Sequence, residues 1–152
     1  MTKAPIKSVI VTEKVAYIRT MIESIRKLPL STFDDFIVDF RTPAAAESYL
    51  RRALESLFDL GRHILAKGFA LAPAEYKQIA VELVKQHVLS EHEGGVLRQM
   101  AGYRNRMAHF YDEILPGELY RICRDDLTDL EAISQAFVDW LRAHPEKIDT
   151  TL

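Results

Sequence analysis

Cysteine is almost absent from this sequence, and long apolar runs are missing altogether. Cys123 is the one cysteine among 152 residues, so no intrachain disulfide can form and folding does not require an oxidising compartment. No run approaches the roughly 18 apolar residues that cross a membrane, and the N-terminus lacks the apolar core of a signal peptide. We therefore expect a cytoplasmic protein with no membrane association.

An excess of either charge is also lacking. The formal net charge is -2 at pH 7, whereas a protein that coats RNA is normally basic, so any contact with phosphate must be local. Arginines are nevertheless concentrated in one region, at positions 98, 104, 106, 121 and 124. From charge alone, a solvated surface is the simpler interpretation of these arginines.

What the sequence does contain is typical of one soluble helical domain, residues 1–152. Hydrophobic residues make up 48% and charged residues 28%, which argues against disorder. Apolar residues recur at helical spacing, and no useful stretch alternates with period two. Helices are predicted over about 8–27, 32–39, 43–67, 73–87 and 96–111, with a last helix containing 119–141. Short connections then predict an all-α antiparallel bundle of about five or six helices.

Three boundaries are predicted from local chemistry. Thr42 and Pro43 suit the N-cap and first position of the third helix. Gly68 is a plausible C-cap for that helix. The stretch from Glu91 to Gly95 is typical of a turn.

The most informative stretch is residues 102–111, GYRNRMAHFY. Arg104 falls on the apolar face of the helix that this stretch continues; the face comprises Leu97, Met100, Ala101, Arg104, Ala108 and Tyr111. A guanidinium keeps its charge, and burying it unpaired costs several kcal/mol. The position of Arg104 therefore predicts a neighbouring carboxylate, phosphate or subunit interface.

Asn105 and His109 share a second helix face, about 100° to 140° around the axis from Arg104. One ideal helix cannot aim Arg104 and His109 at the same point. Either the helix ends or distorts near Ala108, or two copies of the chain form a composite site. We favour the second geometry, in which a twofold axis would bury Met100 and Met107 between the copies.

Arg104, His109 and Tyr111 together form an R-x4-H-x-Y string, with Asn105 directly after the arginine. This string resembles the HEPN superfamily of RNases and, within it, the HepT toxins. The stretch from Tyr49 to Ile64 (YLRRALESLFDLGRHI), Gly68 and the stretch from Met100 to Asn105 also look like that family. The resemblance covers most of the chain, from about Phe33 to Leu130.

The resemblance implies a HEPN-like homodimer that acts as a metal-independent endoribonuclease toxin. It also implies a minimal nucleotidyltransferase antitoxin as partner, which would silence the nuclease by transferring AMP to Tyr111. Read from the residue alone, Tyr111 is more simply a packing aromatic with its hydroxyl at the edge.

Cleaving RNA without a metal requires a base for the ribose 2′-hydroxyl, a cation for the phosphate and an acid for the leaving 5′-oxygen. His109 suits the proton transfers because its ordinary pKa is near 6.5. Arg104 suits the phosphate because its planar fork can bind two oxygens. Asn105 would orient the imidazole, and Arg98 and Arg106 are possible further RNA phosphate contacts.

Other interpretations stay open. The same cleft could belong to a non-catalytic module that binds a nucleotide or a partner protein, in which case changing His109 to glutamine would cost little. No cofactor is predicted, and no metal site, because the histidines lack metal-ligand spacing. Glu55, Asp59 and Arg62 are more simply a solvated ladder, although one of them could meet Arg104 of the same or a neighbouring chain.

Overall fold

The computed structural model describes residues 5–108 and 114–150. Within them the fold is all-α, as predicted, but it has seven α-helices rather than five or six. The helices are α1 (Ser8–Arg26), α2 (Phe33–Ile37), α3 (Arg41–Phe69), α4 (Tyr76–Lys85), α5 (Glu91–Ala108), α6 (Pro116–Asp125) and α7 (Leu127–Ala143). Two short strands, β1 (Ile6–Lys7) and β2 (Ile148–Asp149), pair in parallel near the two ends of the chain.

Helix α3 is the centre of the fold, since every other helix packs against it. Its apolar residues recur at helical spacing and face the core, and those predicted to be internal are all buried: Leu50, Ala53, Leu54, Leu57, Gly61, Ile64 and Leu65. The helix is 29 residues long and carries its neighbours on different sides: Asp59 meets Lys14 of α1, whereas Phe58 meets Tyr76 of α4.

The prediction for the start of α3 is wrong by two residues. The helix begins at Arg41, and Thr42 is buried inside its first turn instead of serving as the N-cap. The side chain of Asp39 accepts a hydrogen bond from the backbone N–H of Arg41 at 3.0 Å. Asp39 therefore satisfies the backbone donor of Arg41, whereas an N-cap at Thr42 would have satisfied a donor further into the helix.

The prediction for the end of α3 is also wrong. Gly68 lies within the helix, where a Cβ would be 3.2 Å from Cδ1 of Ile6, so its lack of a side chain makes room for β1. The C-cap is Ala70, which adopts the left-handed conformation with φ 56°. The N–H of Leu71 then donates to the carbonyl of Leu65 at 3.0 Å, closing the helix end.

Helix α5 starts earlier than expected, because the stretch from Glu91 to Gly95 is its first turn and not a loop. The backbone N–H of Ser90 donates to Glu93 Oε1 at 2.8 Å, and the N–H of Glu93 donates to Ser90 Oγ at 3.1 Å. This reciprocal pair is a capping box, which the spacing of Ser90 and Glu93 could have predicted.

The C-terminal half differs from the single last helix that was predicted. A break at Asp126 divides it into α6 and α7. Helix α4 starts at Tyr76, after the predicted Pro73.

In the part of the chain that the structure describes, no helix has the length and hydropathy needed to cross a membrane.

Candidate active site on the motif helix

Helix α5 carries Arg104 close to its last described turn. The face that leads to it is buried: Leu97, Met100 and Ala101 are fully inaccessible. They pack into the chain's own core, so the expectation that a second copy would cover Met100 is wrong. Met107 is partly buried against the same core. The apolar stripe of the motif helix thus fixes α5 to its own domain.

Glu55 of α3 is the carboxylate that meets Arg104. Its Oε1 lies 3.1 Å from Arg104 Nε, and the Arg104 side chain is only 19% exposed. The buried Nε has no hydrogen-bond partner in suitable geometry, so the interaction is a Coulombic ion pair and not an aligned hydrogen bond. Of the three neighbours predicted for Arg104, a carboxylate, a phosphate or a subunit interface, the structure shows a carboxylate of the same chain.

Tyr76, the first residue of α4, contacts the same guanidinium. Arg104 Cζ is 5.0 Å from the centre of the Tyr76 ring, which is within the range of a cation–π interaction. The ring is itself fixed against Phe58 of α3, with 4.8 Å between centroids. Arg104 is therefore held between a carboxylate from α3 and an aromatic ring from α4.

The terminal nitrogens of Arg104 are the part of the guanidinium that an anion would bind. Within residues 5–108 and 114–150, neither terminal nitrogen of Arg104 donates a hydrogen bond. Glu55 is shared with a second arginine, since Arg51 Nη1 lies 3.7 Å from Glu55 Oε1. An anion that approaches Arg104 would therefore meet positive charge that Glu55 only partly balances.

Asn105 and Arg98 are also accessible to a ligand. Asn105 is half-buried, and its amide has no hydrogen bond with the described residues. Arg98 is exposed and forms no ion pair with them. It lines an open groove of about 290 Å³ between α4 and α5.

Arg106 is engaged differently from Arg98. Its two terminal nitrogens donate to the two carboxylate oxygens of Glu118 at 2.6 and 2.8 Å. These hydrogen bonds hold the pKa of Glu118 below its ordinary value. Arg106 thus joins α5 to α6, and a phosphate would have to compete with that pair.

Tyr103 is a structural residue of the motif that sequence reasoning missed. Its hydroxyl accepts a hydrogen bond from Gln99 Nε2 at 2.9 Å and another from Arg121 Nη2 at 3.1 Å. Arg121 also lies 3.4 Å from Asp126. The i, i+4 spacing of Gln99 and Tyr103 was visible in the sequence, but their link to α6 was not.

The remaining motif residues, His109 and Tyr111, lie outside the described residues, so their roles stay predictions.

Among the residues that are described, no group of three or more His, Cys, Asp or Glu side chains could hold a metal ion. His63 Nε2 accepts a hydrogen bond from the backbone N–H of Lys7 at 3.0 Å, which gives it a structural role. Cys123 is buried, and burial raises the pKa of its thiol to about 12.

These features define an all-helical domain whose motif helix presents a positioned arginine. The family model described as "Ribonuclease HepT-like" matches residues 18–137. That range includes α3, α5 and the Glu55–Arg104 pair. The chain belongs to this family of HepT-like ribonucleases.

Individual relatives are distant in sequence but close in fold. A "tRNA nuclease HepT" from Aphanizomenon flos-aquae (strain 2012/KM1/D3) is 24% identical over 115 residues, which are 76% of this chain and 78% of that protein. A tri-AMPylated Shewanella oneidensis HEPN toxin, solved in complex with its MNT antitoxin, superposes with a TM-score of 0.78 at 22% identity, covering 86% of this chain and 97% of that one. A toxin–antitoxin structure with AMP-PNP superposes equally well, with a TM-score of 0.78 at 20% identity over 87% of this chain and 99% of that chain.

Proposed function

We propose that this protein is a metal-independent endoribonuclease, the toxin of a cytoplasmic toxin–antitoxin pair. The observation that carries the proposal is the state of Arg104. It is fixed by Glu55 and Tyr76, yet its terminal nitrogens make no hydrogen bond with the described residues. An arginine that is positioned in this way but not saturated suits a phosphate oxygen. Membership of the HepT-like family and its relative named as a tRNA nuclease support RNA as the substrate class.

The reaction would be transfer within the RNA backbone. His109 would take the proton from a ribose 2′-hydroxyl, whose oxygen forms a new bond to phosphorus while the bond to the 5′-oxygen breaks. The departing 5′-oxygen would receive a proton from the imidazolium, either of the same chain or of a second copy. Arg104 would stabilise the charge on the phosphorus oxygens, and Asn105 would orient His109.

A homodimer would complete this site. Helix α5 is continuous through Ala108, so Arg104 and Asn105 point in directions about 100° apart. A second copy facing the motif could then supply a histidine to the Arg104 of its partner. Because Met100 belongs to the chain's own core, this dimer would form through other residues of α5 and its neighbours.

Silencing by a nucleotidyltransferase would act on the same surface. Transfer of AMP to Tyr111 would add bulky phosphate charge to the motif and so compete with RNA. The Shewanella oneidensis toxin, whose fold is similar, was solved in a tri-AMPylated state with its MNT antitoxin. That state supports the proposal that a minimal nucleotidyltransferase is the partner of this chain.

The experiment is cleavage of labelled RNA, beginning with a tRNA pool, by the purified unmodified protein in EDTA. The parent should cut, and Arg104→Ala and His109→Ala should each lose at least 100-fold in rate. Arg142→Ala is the matched control, because Arg142 is an exposed arginine of α7. Light scattering and circular dichroism should show that all four proteins have the same oligomeric state and helix content.

Two results would reject the proposal. If the parent binds RNA and leaves it intact, the cleft is a binding module. If parent and variants cut equally, the activity comes from a contaminant. A monomer at micromolar concentration that still cuts would reject only the composite site.

A further inference from the structure

Five large apolar side chains are exposed on and beside α2, in a protein that buries most others. Val38 is 83% exposed and Phe40 82%, while Phe33 and Ile37 are each 39% exposed. Leu115, the N-cap of α6, is 67% exposed. Apolar surface of this kind on a folded domain marks a place where another molecule binds. We refer to Phe33, Ile37, Val38 and Phe40 as the α2 surface.

The α2 surface is a fixed part of the fold. Phe36 is fully buried beneath it, and the Phe33 ring packs against Tyr120 of α6 at 5.7 Å between centroids. The Tyr120 hydroxyl also donates to the carbonyl of Leu30 at 2.9 Å, so α6 also holds the segment that precedes α2. Because α2 is anchored, its outward apolar residues are presented in one arrangement to a binding partner.

The charge around this surface is negative. Asp34 and Asp35 are exposed and form no ion pair with any described residue. The two arginines that contact this region are already paired, Arg41 with Asp39 at 2.7 Å and Arg124 with Asp125 at 2.8 Å. The unpaired charges would repel RNA phosphates, which excludes nucleic acid as a good ligand here.

The same charges disfavour a second copy of this chain. In a twofold interface each patch meets its own copy, so the two pairs of unpaired aspartates would be brought together. Like charges facing each other across an interface disfavour association. A different protein, apolar at its centre and basic at its edge, fits the α2 surface better.

The position of Leu115 in the chain connects this surface to the candidate active site. Leu115 follows Tyr111 by four positions and starts the helix against which α2 packs. A protein seated on α2 and Leu115 would therefore be close to the segment that carries the proposed AMP acceptor. If the proposed function holds, on which this inference rests, the protein that binds here is the nucleotidyltransferase.

We propose that the α2 surface, extended by Leu115, is where the nucleotidyltransferase docks, through an apolar centre and a rim of Lys or Arg. The central test is titration of this chain with its proposed minimal nucleotidyltransferase partner. Val38→Ser/Phe40→Ser should weaken binding at least tenfold. Val9→Ser/Tyr17→Ser is the matched control, since it removes one aliphatic and one aromatic side chain that are each 40% exposed on α1.

A charge variant tests the rim. Asp34→Lys/Asp35→Lys should weaken binding several-fold at low salt, and the difference from the parent should shrink as salt screens the rim. All variants should keep the parent's rate of RNA cleavage, its oligomeric state and its thermal midpoint.

The possible outcomes of these experiments show which molecule binds the α2 surface. Unchanged affinity in Val38→Ser/Phe40→Ser would overturn the proposal, as would a parent chain that binds no nucleotidyltransferase. Loss of self-association in that variant would show that a second copy of the chain binds this surface. Loss of RNA binding would show that nucleic acid binds it. Either result would overturn the proposal. A parent that binds the nucleotidyltransferase through this surface but cuts no RNA would reject the proposed nuclease function and leave the docking surface standing.

Discussion

Glu55 Oε1 lies 3.1 Å from Arg104 Nε, joining the middle of α3 to the C-terminal part of α5. The contact holds the inner side of the guanidinium while the terminal nitrogens donate no hydrogen bond to the described residues. Arg104 is thus oriented by a residue that need not touch RNA. Glu55 is best regarded as a positioning residue for the proposed reaction.

Replacing Glu55 with glutamine should reduce kcat about tenfold, because Arg104 loses the charge that orients it. The matched control is Glu47→Gln. Both glutamates contact Arg51, at 3.3 Å for Glu47 and 3.7 Å for Glu55, but only Glu55 contacts Arg104. The Glu47–Arg51 pair is partly exposed, so Glu47→Gln should lose no more than about 1 kcal/mol of stability. Glu55→Gln leaves the mostly buried Arg104 without its carboxylate and should lose about 1–3 kcal/mol, so the rates are compared per folded molecule. Equal cleavage rates in the two variants would show that Glu55 only stabilises the fold.

Adjacent glycines of α5 should respond oppositely to alanine. A Cβ on Gly94 would lie 2.1 Å from Val84 Cγ2, whereas a Cβ on Gly95 would have no neighbour within 4 Å. Gly94→Ala should lose about 1–3 kcal/mol through overpacking, and Gly95→Ala should gain about 0.5–1 kcal/mol through helix propensity. Urea unfolding measures both, and trimming Val84 to alanine should relieve the Gly94→Ala clash. A stabilised Gly94→Ala would mean that α4 and α5 are not closely packed there.

Ala70→Gly should stabilise the end of α3. Ala70 has φ 56°, a conformation that costs a residue with a Cβ about 1 kcal/mol and costs glycine little. The free energy of unfolding should therefore rise by up to about 1 kcal/mol. Lys67→Gly, three residues earlier inside the helix, is the control and should lower it by about the same amount. A loss of stability in Ala70→Gly would contradict the left-handed cap.

Stability should fall as the solution is acidified, in part because of His63. Burial, followed by the positive charges of Lys67 and Lys7, lowers the pKa of His63, and its Nε2 must be unprotonated to accept the Lys7 N–H. His63 therefore binds a proton more readily in the unfolded chain than in the folded one. The stability that neutral His63 contributes is fully present above about pH 6.5 and declines as the pH falls below that value. Thermal unfolding of His63→Gln should show less loss between pH 7.5 and 5.5 than the parent, whereas exposed His92→Gln should follow the parent.

Arg98 and Arg106 should differ in how they affect RNA binding. Arg98 is exposed without an ion pair among the described residues, so Arg98→Ala should reduce the slope of log affinity against log salt by about 0.7–0.9 if it contacts one phosphate. Arg106→Ala should chiefly cost stability, because Glu118 would lose both of its hydrogen bonds to the guanidinium. An RNA affinity that is independent of salt in the parent would contradict the phosphate contacts altogether.

Sequence reasoning predicted the positions of most helices correctly, because the period of the apolar residues is a local property. It failed where glycine was interpreted as a sign that a helix ends. The glycines at 94 and 95 were interpreted as a turn, but the Ser90–Glu93 capping box starts a helix before them. Gly68 resembles a helix stop, yet it is small because β1 crosses there, and that contact spans more than sixty positions.

The sequence by itself determined that the chain is helical, that residues 102–111 hold the candidate site and that Arg104 lies on an apolar face where a charge needs a partner. Only the tertiary structure decided that the partner is Glu55, because Glu55 and Asp59 occupy nearly the same face of α3 and the packing of α5 across that helix selects between them. It also decided that Met100 faces the chain's own core. Helical periodicity identifies the apolar face of a helix, but contacts distant in sequence determine what covers it.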